Sequence, residues 1–317
     1  MSRIKHFLKD LWIITKKTAL SWKESDPFRQ SAVVAYYAIF SIPPLLIIII
    51  AFAGFVFGEE AIQGEISRQI SDIMGEETAL QIERIIANIN RNESSKWAAI
   101  ISIITLFIGC TGVFVQLQII LNEIWEIKVT TKRKFLKTVR DRLLSFGLIL
   151  SIGFLLLVSL ILTTALTVLS DWIKNYLPSF LMIVFQLIDF ILSFGVVTVL
   201  FALMFKFLPD ARIRWNDVWV GAVVTALLFI IGKFGLAIYF GKAEPASAYG
   251  AAGSIILIML WVSYSCMLVL FGAEFTKQLT LYFRGEIEPK EGAIHIDATK
   301  VEKLIVDKKM AVRQLEH

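Results

Sequence analysis

Three ionisable residues stand in sequence otherwise apolar enough to lie in lipid: Asp189, Lys233 and Glu274. A charge at membrane depth costs about 3 kcal/mol or more, and persists where it pairs, lines a water-filled path or relays protons. Asp189 is expected about 12 Å inside its run, counted from Leu181, and Lys233 about 10 Å inside its own, counted from Phe240, at 1.5 Å per residue. Consecutive antiparallel helices tend to pack together, so an Asp189–Lys233 ion pair is expected. It would serve either as a lock on the bundle or as a step in a pathway. Glu274 closes the last apolar run, level with Arg29, Asn122 and Glu123. These four are expected to form a polar cluster at one mouth, or an ordinary interfacial group wetted by water and headgroups. Gln116 and Gln118 are two residues apart and face different ways, so at most one of them reaches a shared cavity. Pro43-Pro44 removes two backbone donors in mid-run and must kink or unwind the helix. Tyr36, Tyr37 and Ser41 lie just before that break. Broken helices recur at transporter binding sites, although a packing kink looks the same in sequence.

Other chemistry has no visible basis. His6, His295 and His317 lie outside the apolar runs and apart from other ligand types, and no phosphate loop, dinucleotide fingerprint or nucleophile triad appears. Cys110 and Cys266 are embedded in apolar sequence and read as small hydrophobes. The expectation is a protein that is not an enzyme, with no cofactor and no metal.

The elements that must position these residues follow from composition. Of 317 residues, 56% are hydrophobic and 19% charged, with a mean hydropathy of +0.70. Residues 31–58, 97–122, 143–170 and 245–273 carry no Asp, Glu, Lys or Arg, while 175–205 and 218–240 are broken only by Asp189 and Lys233. About 20 apolar residues cross the hydrocarbon as a helix. The fold class is therefore an all-α integral membrane protein with six transmembrane helices. The net charge of +5 and pI near 9.1 read as topology and imply no nucleic-acid partner. Basic residues number seven up to Arg29, seven between spans two and three, three between spans four and five, and eight from Lys277 onward. The opposite loops hold six, so both termini are expected in the cytoplasm.

Residues 1–28 place Ile4, Phe7, Leu8, Leu11 and Ile14 on one stripe, with Trp12 at its edge and Lys5, Lys9, Lys16 and Lys17 around it. That is an amphipathic helix at the cytoplasmic interface, acting as an anchor or as a sensor of anionic lipid. No cleavable signal is expected there. Residues 29–283 form the membrane domain. Within it, 59–96 show two amphipathic stripes split by Gly75, which predict an acidic helical cap on the extracytoplasmic side, serving as lid, docking surface or connector. Residues 284–317 are a cytoplasmic tail, and Leu315-Glu316-His317 resembles the start of an expression tag.

Four sets of residues, in order, resemble a known family. They are Arg29-Gln30-Ser31 with Ala35-Tyr36-Tyr37 and Phe40-Ser41-Ile42-Pro43; Leu121-Asn122 with Ile124-Trp125; Leu208-Pro209-Asp210 with Arg214-Trp215 and Gly221-Ala222; and Tyr249-Gly250, Gly253-Ser254, Leu260-Trp261, Tyr264 and Gly272-Ala273-Glu274-Phe275. Together they resemble the YihY/BrkB-like bacterial inner-membrane proteins from about Arg29 to Leu281. The resemblance implies six helices and points to Arg29, Asn122 and Glu274. It also implies that the family's former label, ribonuclease BN, is mistaken. The expectation is an inner-membrane transporter or flippase-like protein moving an amphiphilic envelope or lipid-type substrate. Its pathway candidates are Arg29, Tyr36, Tyr37, Pro43, Pro44, Asn122, Asp189, Lys233 and Glu274. The alternative is a non-transporting scaffold that binds envelope-assembly partners. Membrane lipids are the expected partners, and a homo-oligomer is allowed but not indicated.

Overall fold

The computed structural model describes residues 2–41, 64, 67, 71, 80, 96–130, 179–243 and 253–296. Pro43, Pro44, the expected third span and the tail beyond 296 lie outside them. So does the expected cap, apart from Gly64, Ser67, Ser71 and Leu80, each of which is helical.

Helix dominates. Helix α1 is Ser2–Glu24 and α2 covers residues 27–41. They are followed by α3, Lys96–Ile124, α4, Ser179–Phe207, α5, Trp215–Ala243, and α6, Gly253–Arg284. Among the described residues, three stretches are long and apolar enough to cross a membrane: Phe190–Phe207, Trp215–Lys242 and Ile255–Arg284. Their outward residues suit lipid contact. Phe190 and Ile191 on α4 and Ile231, Phe234 and Ile238 on α5 are exposed on the protein, which a bilayer tolerates and water would penalise.

Local chemistry ends α1 and α6. Between α1 and α2, Asp26 takes a positive φ of 52°, a conformation that Asp adopts more readily than most residues. Pro27 then opens α2, where a missing N–H costs nothing. Helix α6 stops at Gly285, whose φ is 85° and whose N–H reaches the Leu281 carbonyl at 2.9 Å, a left-handed cap.

Among the described residues four short strands accompany the helices, a detail the all-α reading lacks. Strand β1 is Ile127–Val129, β2 Ala211–Arg212, β3 Glu288–Pro289 and β4 Ala293–His295. β1 pairs antiparallel with β4, with Lys128 opposite Ile294, and β2 pairs with β3, with Ala211 opposite Pro289. Turn residues extend the ladders: Thr130 N donates to Gly292 O at 3.1 Å, Ile296 N to Glu126 O at 2.7 Å, and Lys290 N to Asp210 O at 2.7 Å. The segment after α6 therefore clasps the chain leaving α3 and the chain leaving α4.

The chain divides into two compact units. The first is Met1–Thr18, Gln118–Ala222 and Ala273–His317. Its core includes Ile120, Leu121, Trp125, Phe205, Ile213, Val218 and Phe275, all nearly inaccessible. The second is Ala19–Leu117 and Val223–Gly272, where Phe240 and Leu257 pack with Leu236 and Trp261. In the second unit small groups set the helix approach. A Cβ on Gly112 would meet the Tyr37 ring at 2.4 Å, and Ser31 Oγ lies 3.0 Å from Ser263 Oγ.

Candidate polar centre

The first unit gathers most of the buried polar groups that the described bonds connect. Gln118 and Asn122 lie one helical turn apart on α3 and therefore share a face. Asn122 Nδ2 donates to Asp210 Oδ2 at 2.9 Å, and Asp210 N returns a bond to Asn122 Oδ1 at 2.7 Å. Gln118 Nε2 adds a third bond to Asp210 Oδ2, at 3.2 Å. Asp210 belongs to the Leu208-Pro209-Asp210 turn, where proline cannot continue α4. Lys290 holds this turn from outside, its Nζ donating to Pro209 O at 2.7 Å and Phe207 O at 3.3 Å. A cation on the last carbonyls of a helix also suits the helix dipole. Lys206 bonds the Ile213 carbonyl and stands 5.4 Å from the Trp215 ring centroid.

A second group lies on α6 and the end of α3. Glu274 is 2% exposed and accepts a bond from Gln278 Nε2 at 2.9 Å. Lys277 Nζ stands 3.8 Å from Glu274 Oε1 and 3.0 Å from Glu126 Oε1. One buried ammonium thus serves two carboxylates, one sealed and one half in contact with the outside. A lone charge in such a place would be costly, whereas a paired one is tolerable.

A third group fastens α5 to α6. Arg284 grips Asp217 with two bonds, Nε at 2.6 Å and Nη2 at 3.0 Å, the planar fork that carboxylates favour. Thr280 Oγ1 reaches the same carboxylate at 3.5 Å. Trp125, fully buried, has an indole N–H without a partner among the described residues.

The expected residues fare differently. Asn122 and Glu274 both fall within this centre, but the bonds described for them run to Asp210 and to Gln278 and Lys277. Arg29 is exposed and pairs with Asp26 of its own helix start at 2.8 Å. Arg29 and Glu274 have partners within one helical turn, whereas Asn122 reaches across 88 residues to Asp210. Of the two amides on α3, Gln118 is the one that reaches a carboxylate among the described residues. Tyr36 is exposed, with its ring edge-on to Phe40 at 5.2 Å and to Tyr37 at 5.7 Å. Lys233 is half-buried and lies 5.3 Å from the Phe234 ring centroid. Asp189 is within α4, but its side chain is outside the described residues, and with it the expected pair. Asp217, Arg284 and Lys290 are not singled out by the sequence, which marks Asp210 only as part of the Leu208-Pro209-Asp210 motif and Lys277 only as one of the basic residues after the last span. The spacing Glu274, Lys277, Gln278 was a usable signal, being one helical face; the others depend on contacts distant in sequence.

Chemically, the centre can hold and share charge and tie helix ends together. Among the described residues no three His, Cys, Asp or Glu side chains gather as a metal-ligating set.

Comparison with known proteins agrees with this membrane architecture. A family model described as virulence factor BrkB matches residues 19–294. A UPF0761 membrane protein of Verminephrobacter eiseniae is 25% identical over 295 residues, covering 89% of this chain and 67% of the relative. One from Pseudoalteromonas atlantica is 25% identical over 266 residues, covering 83% and 84%. One from Tolumonas auensis is 32% identical over 163 residues, half of each chain. The chain thus spans from about half to most of the length of these relatives. No solved structure matches.

Proposed function

The chain belongs to the virulence factor BrkB family of membrane proteins, and on that footing we propose that it moves an amphiphilic envelope or lipid-type molecule across the bacterial inner membrane. Movement comes from rearrangement of helices, without covalent chemistry or cofactor. The proposal includes six spans, an extracytoplasmic cap over residues 59–96 and cytoplasmic termini. Arg29, Tyr36, Tyr37, Pro43, Pro44, Asn122, Asp189, Lys233 and Glu274 are the pathway candidates, and membrane lipids are the surrounding partners.

One observation carries the reading: Glu274, sealed within the protein on an apolar helix, shares Lys277 with the more exposed Glu126. The ammonium has two carboxylate partners, Glu126 at 3.0 Å and Glu274 at 3.8 Å. Small helix shifts can trade one contact for the other, as a two-state element requires.

The test is reconstitution into liposomes with a lipid-scrambling or solute-flux assay. The parent is expected to exceed protein-free liposomes, and Glu274→Gln to fall several-fold below the parent while keeping its melting temperature. A parent that moves nothing would sink the transport reading and leave a scaffold for envelope-assembly partners. An active Glu274→Gln protein would remove Glu274 from the mechanism and leave transport standing.

A further inference from the structure

Helix α1 presents a face that the other described residues leave uncovered. Ile14 and Thr18, one turn apart, are 2% and 0% exposed, so the apolar stripe read from sequence is at that point packed into protein. Two hydrogen bonds fix the rotation of the helix on the same side. Tyr282 Oη donates to Asp10 Oδ1 at 2.8 Å, and Trp22 Nε1 donates to Met267 O at 3.2 Å. At 100° per residue, Asp10, Ile14, Thr18 and Trp22 occupy one arc. The opposite arc carries Lys9, Trp12, Lys16, Leu20 and Lys23, all exposed, with Trp12 at 70% and Leu20 at 56%.

From this geometry we infer that the outward face of α1 is a binding strip for anionic lipid headgroups. The three lysines stand seven residues apart in turn, about 10 Å along the helix. No acid lies within their arc: Asp10 is turned toward Tyr282, and exposed Glu24 stands at its end, beside Lys23 and about 40° from Leu20. Lysines near an anionic leaflet contribute about 1 kcal/mol each, and an indole between them sits naturally at the headgroup level. A protein partner fits less well, because protein interfaces are poor in lysine and have a continuous apolar centre. Here the cations alternate with the apolar groups. Position agrees: α1 leads within two residues into α2, whose first turn exposes Phe28 at 67%, so the strip ends where apolar chain begins. The inference needs a membrane around the protein and does not depend on transport.

The experiment uses the full chain in phosphatidylcholine vesicles, with spin-labelled phosphatidylglycerol or spin-labelled phosphatidylcholine as probe. The fraction of each probe held at the protein is read by electron paramagnetic resonance. The parent should prefer phosphatidylglycerol several-fold. The combined variant Lys9→Gln, Lys16→Gln, Lys23→Gln should lose most of that preference, while the triple Lys→Arg variant keeps it and both melt as the parent does. Equal retention of the two lipids by the parent, or an undiminished preference in the Gln variant, would overturn the inference. In either case transport, measured separately, would stand or fall by itself.

Discussion

Asn122 and Asp210 show how a buried carboxylate is kept inside this protein. Asp210 is 7% exposed, and its Oδ2 takes amide bonds from both Asn122 and Gln118. Removing one bond to a charged group costs about 1.5–3 kcal/mol. Asn122→Ala removes two bonds, one of them to the backbone, so its melting temperature in detergent should fall clearly. Asn122→Asp should fall further, since it sets two carboxylates together. An Asn122→Ala protein as stable as the parent would mean that the pair adds nothing to the fold. Asn122 was legible in sequence as a polar residue at the end of an apolar run. Its partner was not, because 88 residues separate them and nothing local in a Leu-Pro-Asp turn says which way its aspartate points.

At the scale of elements, α5 and α6 are held by matched small residues. Gly221 and Thr225 are one turn apart on α5, and Gly272 and Thr276 one turn apart on α6. A Cβ on Gly221 would lie 1.8 Å from Thr276 Oγ1, and a Cβ on Gly272 would lie 1.8 Å from Thr225 Oγ1. Neither distance is possible, so each glycine accepts the hydroxyl side chain of the facing helix, the kind of close approach that membrane helices use. Gly221→Ala should therefore destabilise by about 1–3 kcal/mol, the usual cost of overpacking. Thr276→Ala in the same chain should relieve it only in part, because the Cβ atoms would still be 2.9 Å apart; Thr276→Gly should relieve it more. Gly235→Ala is the control, with nothing within 4 Å of its added methyl, and should be neutral. Equal losses at Gly221 and Gly235 would refute this account. In sequence these glycines stand only within the motifs Gly221-Ala222 and Gly272-Ala273, while the reciprocal register with threonine needs both helices at once. The strand clasp after α6 was invisible for the same reason: β2 and β3 are two residues each, too short for any periodic signal.

For the whole molecule, apolar content and family membership agree on a multi-pass membrane protein. The lysine and arginine distribution predicts a definite orientation, with both termini inside. Alkaline phosphatase fused within residues 59–96 should be active and phosphatase fused after His317 inactive, and the reverse result would invert the topology. The sequence by itself determined that the protein lies in a membrane, that long helices cross it and which family it belongs to. Hydrophobic length and charge asymmetry are properties of the chain summed along its length, and they need no contact to be read. Only the tertiary structure decided what each polar residue does. It gave Asn122 to Asp210, Glu274 to Lys277 and Gln278, Arg29 to Asp26, and turned three lysines of α1 outward. A buried charge is satisfied by whichever partner folding brings within about 3 Å, and that choice is made between segments that sequence keeps far apart.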